Sequence, residues 1–218
     1  MDPKPLSALD AITRRRATRR FDPARPLSEG LLKEILHRAT FAPSGYNLQP
    51  WRFLVVREAR NRQRLRACAF NQPKVAEAPV VVIVLGYRNP DRSHLAAMLA
   101  TMRALGARED AAVAELGARA ARTMERVADR SAWALRSTML AVGTLLIAAE
   151  ALGVASAPLE GFDPALVKES FGIPDDHLVC CLVALGYAAE ETPFPGRFGL
   201  ADVCYEEHFG QPWTLGEP

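Results

Sequence analysis

The sequence has few of the features that mark a self-sufficient catalytic site. Its 218 residues include four cysteines without a CxxC pair and four histidines that complete no zinc-binding motif with them, so no zinc site is expected. GxSxG, Walker and GxGxxG sequences are also missing. An enzyme without its own acid, base or nucleophile usually leaves the chemistry to a cofactor.

Long apolar runs and a strong net charge are missing as well. The longest mostly apolar stretch, Met139 to Leu152, contains Glu150 and is shorter than the roughly 20 residues that a membrane span needs. Asp2 and Lys4 have no apolar segment behind them, which argues against a secretory signal. The net charge of +2 argues against general nucleic-acid binding, and the cysteine usage favours a reducing cytoplasm.

Apolar patterning and capping residues predict a domain of helices and strands. Continuous apolar runs predict buried strands at 80–85 and 178–185, and a further strand is predicted at 52–56. Cys180 and Cys181, as neighbours on a strand, are expected to point to opposite faces as small core residues. Helices are predicted over about 8–16, 29–39, 60–69, 131–152 and 164–171, and the second half of the fourth is expected to be buried all round.

Residues 87–130 differ from the rest of the chain. They are rich in alanine and arginine, and Gly106 separates two apolar stripes at helical spacing. The first stripe contains Met98 and Met102, which could line a promiscuous pocket, although core packing is the favoured interpretation. We interpret this segment as a variable helical insertion into a single domain that covers residues 1–218.

Five arginines, at positions 14, 15, 16, 19 and 20, fall within seven residues at the end of the first predicted helix. Such a density is unfavourable through self-repulsion unless an anion neutralises it. A phosphate-bearing ligand would suit the planar guanidinium, and nucleic acid or a protein partner are further options. Taken alone, the run is more typical of a solvated or interaction surface.

Three further segments carry polar groups. The 42–51 loop presents Ser44 and Asn47 between prolines, which suits either a hydrogen-bonding heterocycle or a turn that caps its own backbone. Residues 71–74 bring an amide close to a lysine, a weak signal by itself. Gly161 would let a backbone N–H approach a flat ligand closely.

These segments follow one another in a specific order. The order is Arg15-Arg16-Ala17-Thr18-Arg19-Arg20-Phe21-Asp22, then Ala42-Pro43-Ser44 through Asn47, Gln49-Pro50-Trp51, Asn71 with Lys74, and Pro158-Leu159-Glu160-Gly161-Phe162. In this register they resemble the FMN-dependent nitroreductase family over residues 11 to about 86 and 131 to about 200. Residues 71–79 look like its bacterial NAD(P)H nitroreductase branch.

The resemblance implies an α+β fold of three layers, in which a central mixed or antiparallel sheet surrounds a long buried helix. It implies a homodimer with FMN at the interface and a C-terminal extension over the partner subunit. The implied function is an oxidoreductase that takes hydride from NADPH or NADH and reduces nitroaromatics, quinones or similar acceptors in two steps.

The resemblance also assigns residues to the cofactor, and it assigns no side chain as acid or base. The implied contacts are Arg15, Arg16, Ala17 and Arg19 at the phosphate and ribityl chain; Pro43, Ser44 and Asn47 from the other subunit; Asn71 and Lys74 at the pyrimidine edge; Leu159, Glu160 and Gly161 beside N5, with the Gly161 N–H as donor; and Arg197 as a late phosphate clamp. The family usually has serine where this chain has Ala17, so one hydroxyl contact is absent.

Other functions stay open at this point. Dehalogenation, dehydrogenation and flavin binding without turnover use the same cofactor site on the same fold. An arginine-patch module that binds nucleic acid or a protein partner is the weaker alternative, because the net charge is near zero and the arginines lack interleaved stacking aromatics.

Overall fold

The computed structural model describes residues 5–213; residues 1–4, with Asp2 and Lys4, and residues 214–218 lie outside the described part. The helices are α1 (Ala8–Arg14), α2 (Glu29–Ala39), α3 (Ala59–Cys68), α4 (Pro73–Glu77), α5 (Pro90–Ala104), α6 (Asp110–Glu125), α7 (Arg130–Ala151), α8 (Pro164–Phe171) and α9 (Leu200–Val203). The strands are β1 (Trp51–Val56), β2 (Val80–Tyr87), β3 (Ala155–Leu159) and β4 (His177–Gly186).

The strands form one antiparallel sheet in the order β1-β2-β4-β3. Ile83 and Leu182 on one face pack in a core with residues of α3, α4 and α8. Val82 and Val183 on the other face pack with residues of α2 and α7. The central strands carry apolar residues on both faces, so helices pack on both sides of the sheet. The predicted three-layer α+β fold is confirmed.

Strand β3 has no counterpart among the predicted elements. Its sequence is made of small residues with Pro158 inside it, a composition that carries little strand signal. The strand forms as a neighbour of β4, with Ala157 opposite Ala184 and Leu159 opposite Leu182. Proline is tolerated here because β4 lies on only one side of β3.

The two adjacent cysteines differ from their predicted arrangement. The register between β2 and β4 shifts between Val84 and Leu85, which leaves Cys180 as an extra residue in its strand. Its thiol therefore lies beside Thr138 of α7, on the face whose core contains Cys181. Burial raises the pKa of both thiols to about 12, so they behave as core groups.

Helix α7 is buried on one side only within the single chain. Asp129 caps it by accepting from the Ala132 N–H, and its inward face packs on the sheet. Leu140 on the outward face is 50% exposed, and Gly143 there faces open space. Among the described helices, α7 alone is long and apolar enough to span a membrane by length and composition. The expected burial of the second half of α7 on all sides is therefore not observed in the single chain.

The 87–130 segment contains the helix pair α5 and α6, joined through Gly106, which has φ +60°. The two helices pack closely where Leu99 lies over Gly117. Met98 and Met124 are buried, which agrees with the core-packing interpretation of the apolar stripes.

Gly186→Ala is expected to destabilise the fold. A Cβ at this last residue of β4 would lie 2.5 Å from Pro79 Cδ and 3.2 Å from Phe21 Cδ1, and the proline ring cannot rotate away. Overpacking of this kind costs about 1–3 kcal/mol, and each kcal/mol lowers the Tm by about 2–4 °C. Gly30→Ala in α2 is the control, because nothing lies within 4 Å of its added Cβ. A thermal melt in which both variants match the wild type would contradict this packing.

Candidate functional site

The arginine segment runs along the free edge of β3. After α1 ends, Ala17 forms a parallel bridge with Ser156, and the Thr18 N–H donates to the Ser156 carbonyl at 3.0 Å. Alternate side chains therefore project to opposite sides of the segment. This arrangement separates arginines that are adjacent in sequence.

The five arginines have different partners. Arg20 forms an ion pair with Glu77 of α4 at 2.9 Å. Arg16 donates to the carbonyls of Thr13 and Arg15 at 2.9 Å, and its guanidinium lies 4.6 Å from the ring centre of Phe194. The guanidinium of Arg15 has a buried nitrogen, Nη1, without a hydrogen-bond partner in the described residues.

Arg19 is exposed, and no carboxylate of the described chain pairs with Arg15 or Arg19. The edge of β3 thus holds two cations that no carboxylate among residues 5–213 neutralises. A buried donor without a partner costs free energy unless a ligand supplies the acceptor.

The end of β3 turns beside a glutamine of another segment. Leu159 is buried, whereas Glu160 and Gly161 are exposed. The Gln72 side-chain amide donates to the Gly161 carbonyl at 2.7 Å. A Cβ at position 161 would lie 3.1 Å from that same amide nitrogen, so glycine allows this approach. The Gly161 N–H has no acceptor among the described residues.

Phe70 and Asn71 have left-handed backbones, with φ of +50° and +56°. Arg66 fixes this turn, because its carbonyl accepts from the Asn71 N–H at 3.0 Å and its Nε donates to the Asn71 carbonyl at 3.1 Å. The Asn71 side chain stays free of these bonds. Phe70 is 68% exposed and its ring lies beside Gly161.

Sequence reasoning did not select Phe70, Gln72 or Arg66. The sequence signal for Phe70 was its position directly before Asn71, a predicted site residue; its exposure and its left-handed backbone became visible only in the structure. The contacts of Gln72 and Arg66 depend on the tertiary structure, so the local sequence contains no pattern that predicts them.

Lys74 lies in the first turn of α4, directly after Pro73. Its side chain is half-buried, and no described carboxylate lies within ion-pair distance of it. Glu77, one turn further along the same helix, is already paired with Arg20. The lysine is therefore a third cation, on a helix joined to the arginine segment, for which the described part of the chain supplies no counter-ion.

The 42–50 loop has an unusual backbone before β1. Tyr46, Asn47 and Gln49 have φ of +54°, +54° and +45°. The Ser44 hydroxyl accepts from the Gln49 N–H at 2.9 Å, as expected of a loop that caps its own backbone. Pro43 and Asn47 remain exposed. Left-handed conformations at non-glycine residues persist only where surrounding contacts hold them.

The fold separates this loop from the rest of the predicted site. The loop precedes β1, whereas Arg15, Ala17 and Gly161 lie at β3, on the opposite edge of the sheet. Three strand spacings, about 14 Å, divide the two edges. One chain therefore brings together the residues of the β3 edge and α4 but not Pro43, Ser44 and Asn47.

Arg197 lies in the extended segment after β4. This segment starts with the bridge between Ala188 and Phe21, next to the arginine segment. The guanidinium of Arg197 is exposed and lies 5.5 Å from the ring centre of Phe194, the ring that Arg16 also contacts. The late arginine thus shares one aromatic neighbour with the arginine segment.

Comparisons with known proteins agree on one family. The family model described as Nitroreductase family matches residues 12–187. The chain is 41% identical over 186 residues to a Thermus thermophilus protein named NADH dehydrogenase, covering 85% of this chain and 89% of the relative. It is 30% identical over 200 residues to YodC of Bacillus subtilis, provisionally named an NAD(P)H nitroreductase. This match covers 90% of this chain and 97% of the relative.

Solved structures give the same result. A protein from Exiguobacterium sibiricum, provisionally described as a nitroreductase in complex with FMN, is 25% identical, with a TM-score of 0.85 and coverage of 95% of this chain and all of that chain. YdfN of Bacillus subtilis shares the fold at a TM-score of 0.85 and 22% identity. The match covers 91% of this chain and 97% of YdfN. The chain is an oxidoreductase that belongs to the nitroreductase family.

Proposed function

We propose that this protein is an FMN-dependent oxidoreductase that uses NADPH or NADH to reduce nitroaromatics, quinones or similar electron-poor acceptors. The observation that carries the proposal is the β3 edge, where Arg15 has a buried unpartnered nitrogen and the Gly161 N–H has no acceptor among the described residues. A planar, anionic, hydrogen-bonding ligand satisfies both.

The phosphate end of FMN fits the arginine segment. Arg15 and Arg19 offer guanidinium groups that have no counter-ion among the described residues, and a guanidinium binds phosphate through two parallel hydrogen bonds. Ala17 lies between them and contributes only its backbone. The Arg16 side chain is occupied by backbone carbonyls and Phe194, so we propose that it contacts the cofactor through its main chain. Arg197 supplies a further cation from the tail.

The flavin ring fits between α4 and the end of β3. Lys74 and the free Asn71 side chain would face the pyrimidine edge, where an ammonium group stabilises negative charge. The Gly161 N–H would donate to N5, next to Leu159 and Glu160. Gln72 holds this turn in place through the Gly161 carbonyl.

The bound flavin supplies the hydride chemistry. The residues of this chain bind it, orient the donor and then the acceptor against one face, and limit the access of water. No side chain is assigned as proton donor, because solvent can supply protons. We place this activity in the reducing cytoplasm, which agrees with four free cysteines.

We propose that the active form is a homodimer, because one chain leaves its site incomplete. Pro43, Ser44 and Asn47 lie at the wrong edge of the sheet to share a ligand with their own Arg15. The chain exposes 13062 Å². A compact monomer of this mass would expose about 9,900 Å². The single chain therefore has surface to spare for an obligate interface with a partner subunit.

Two apolar surfaces are candidates for that interface. One is the outward face of α7 with Leu135 and Leu140; Leu9 and Ile12 of α1, a helix that packs on α7, are exposed as well. The other is the C-terminal tail, in which Tyr205 and Pro212 pair in a small hairpin where Phe209 is 90% exposed. A tail with such aromatic exposure needs a surface to cover it, and we propose the partner subunit.

The visible absorption of the purified protein, recorded without oxygen before and after addition of NADPH or NADH, tests the proposed function. We expect a yellow flavin spectrum that bleaches with the nucleotide and recovers when a quinone or nitroaromatic is added. A colourless protein that takes up no added FMN would overturn the proposal. A yellow protein that neither nucleotide bleaches would indicate a flavin binder with another electron source or none.

A further inference from the structure

The turn that follows β3 is attached to the rest of the chain at few points. Leu159 is the last residue of β3 that pairs with β4, and the Asp163 N–H donates to the last carbonyl of α3 at 2.8 Å. Between these points, the Phe162 N–H donates to the Glu160 carbonyl at 3.1 Å and closes a three-residue turn centred on Gly161. This bond lies within the turn and moves with it, so it does not fix the turn against its neighbours.

Gln72 joins this turn to a different segment of the chain. Its side-chain nitrogen Nε2 donates to the Gly161 carbonyl at 2.7 Å and to the Ala69 carbonyl at 3.2 Å. Carbonyls only accept, so this end of the amide must be the nitrogen, and both of its hydrogens are used. Within residues 5–213, no other hydrogen bond reaches residues 160–162 from outside the turn.

The segment that carries Gln72 is held independently of its side chain. The Gln72 backbone N–H also donates to the Ala69 carbonyl, at 3.1 Å, and Pro73 follows it at the start of α4. Arg66 closes the preceding turn through its two bonds with Asn71. A substitution at position 72 therefore leaves this segment in place and acts on the 160–162 turn.

The direction of the Gly161 N–H depends on this bond. The N–H belongs to the peptide that follows Glu160, whereas the ring of Phe162 packs on the core one residue later. Glycine has no Cβ to restrict its backbone torsions, so rotation at Gly161 can turn the N–H while the flanking residues stay in place. The bond from Gln72 to the Gly161 carbonyl opposes that rotation.

We propose that Gln72 is a positioning residue that fixes the direction of the Gly161 N–H and thereby lowers the reduction potential of the bound flavin without touching the flavin itself. An N–H can donate to N5 only in the oxidised ring, because N5 carries a hydrogen after two-electron reduction. A fixed Gly161 N–H therefore stabilises the oxidised ring alone. The effect on the flavin rests on the proposed function, whereas the hold on the turn does not.

Two uncharged substitutions remove the bond in different ways. Gln72→Met keeps the length of the side chain but donates no hydrogen bond, and Gln72→Asn keeps the amide but is one CH₂ too short to span the gap. Gln63→Met is the matched control, because Gln63 is an exposed residue of α3 that is assigned to no site. A thermal melt of each variant checks that the fold is retained.

The first measurement uses the full chain without FMN and follows the motion of the Gly161 amide. NMR relaxation gives the order parameter of its N–H bond, which is about 0.85 in rigid backbone and below about 0.6 in flexible backbone. We expect the wild type and Gln63→Met near the first value, and both Gln72 variants below the second. A Gly161 amide that is as rigid in both Gln72 variants as in the wild type would overturn the proposal.

The second measurement uses the protein loaded with FMN. In both Gln72 variants, we expect the Kd for oxidised FMN to rise about fivefold, roughly the effect of one hydrogen bond. The ratio of reduced to oxidised flavin at a fixed potential, read against a reference dye, should rise by the same factor. For a two-electron couple this corresponds to a reduction potential higher by about 20 mV. Gln63→Met should match the wild type in both values.

The potential separates positioning from a general structural defect. A defect that loosens the whole site weakens the binding of both redox states alike and leaves the potential unchanged. An unchanged potential in Gln72 variants with a mobile Gly161 amide would therefore contradict the proposal. A wild type that binds no FMN would overturn the proposed function and with it the effect on the potential, whereas the order parameters would still decide whether Gln72 holds the turn.

Discussion

The Arg15→Ala, Arg19→Ala double variant is expected to purify without bound flavin. Both guanidinium groups lie at the β3 edge, where the described part of the chain gives them no counter-ion, and each charge-assisted bond to a phosphate is worth about 1.5–3 kcal/mol. Loss of both raises the Kd for FMN by about 10²–10⁴-fold. The ratio of flavin to protein absorbance, followed by titration with FMN, measures the effect.

A matched control removes the same charge elsewhere. Arg14 and Arg60 are both exposed, and neither is assigned to the cofactor. The Arg14→Ala, Arg60→Ala variant should therefore keep its flavin. Arg20 is unsuitable as a control because its ion pair with Glu77 joins the arginine segment to α4. A fully yellow Arg15→Ala, Arg19→Ala protein would show that the phosphate assignment is wrong.

Leu140→Arg is expected to convert the protein into a monomer that has lost its flavin. The residue lies on the outward face of α7, and a two-fold interface would bury the new charge twice. An unpaired buried charge costs about 3–5 kcal/mol, so dimer dissociation would increase by at least about 10²–10³-fold. Analytical ultracentrifugation gives the oligomeric state, and absorbance gives the flavin content.

The flavin should be lost together with the dimer, because in a monomer the Pro43, Ser44 and Asn47 of a second subunit are no longer present to contact it. Leu166→Arg on α8 is the matched control: Leu166 is 48% exposed against 50% for Leu140, and it lies on the other helical layer. It should remain dimeric and yellow. A dimeric, flavin-bound Leu140→Arg protein would exclude this face of α7 as the interface.

Many elements of the fold could be predicted because their signals are local. Ser28 accepts from the Leu31 N–H, and Asp163 accepts from the Ala165 and Leu166 N–H groups, so each helix start is encoded within a few residues. The apolar runs of β2 and β4 likewise report burial directly. The order of the motifs was sufficient to indicate the family.

The elements that were not predicted depend on distant neighbours. Strand β3 forms only as an edge beside β4, and the bulge that turns Cys180 toward α7 arises from the pairing of β4 with β2. The outward face of α7 looks like core in sequence because its apolar residues are the same types that fill a core. Composition cannot distinguish burial by the same chain from burial by another.

The helix caps, the central strands and the set of candidate site residues can be read from the amino-acid sequence alone. How those residues are used depends on the folded chain. Folding pairs Arg20 with Glu77, 57 positions away, and leaves a buried nitrogen of Arg15 without a partner in the described residues. It placed Gln72 against Gly161 and put Ser44 at the opposite edge of the sheet. A helix cap forms between residues that are neighbours in sequence. Counter-ions and ligand contacts come from residues that are distant in sequence and meet only in the folded chain.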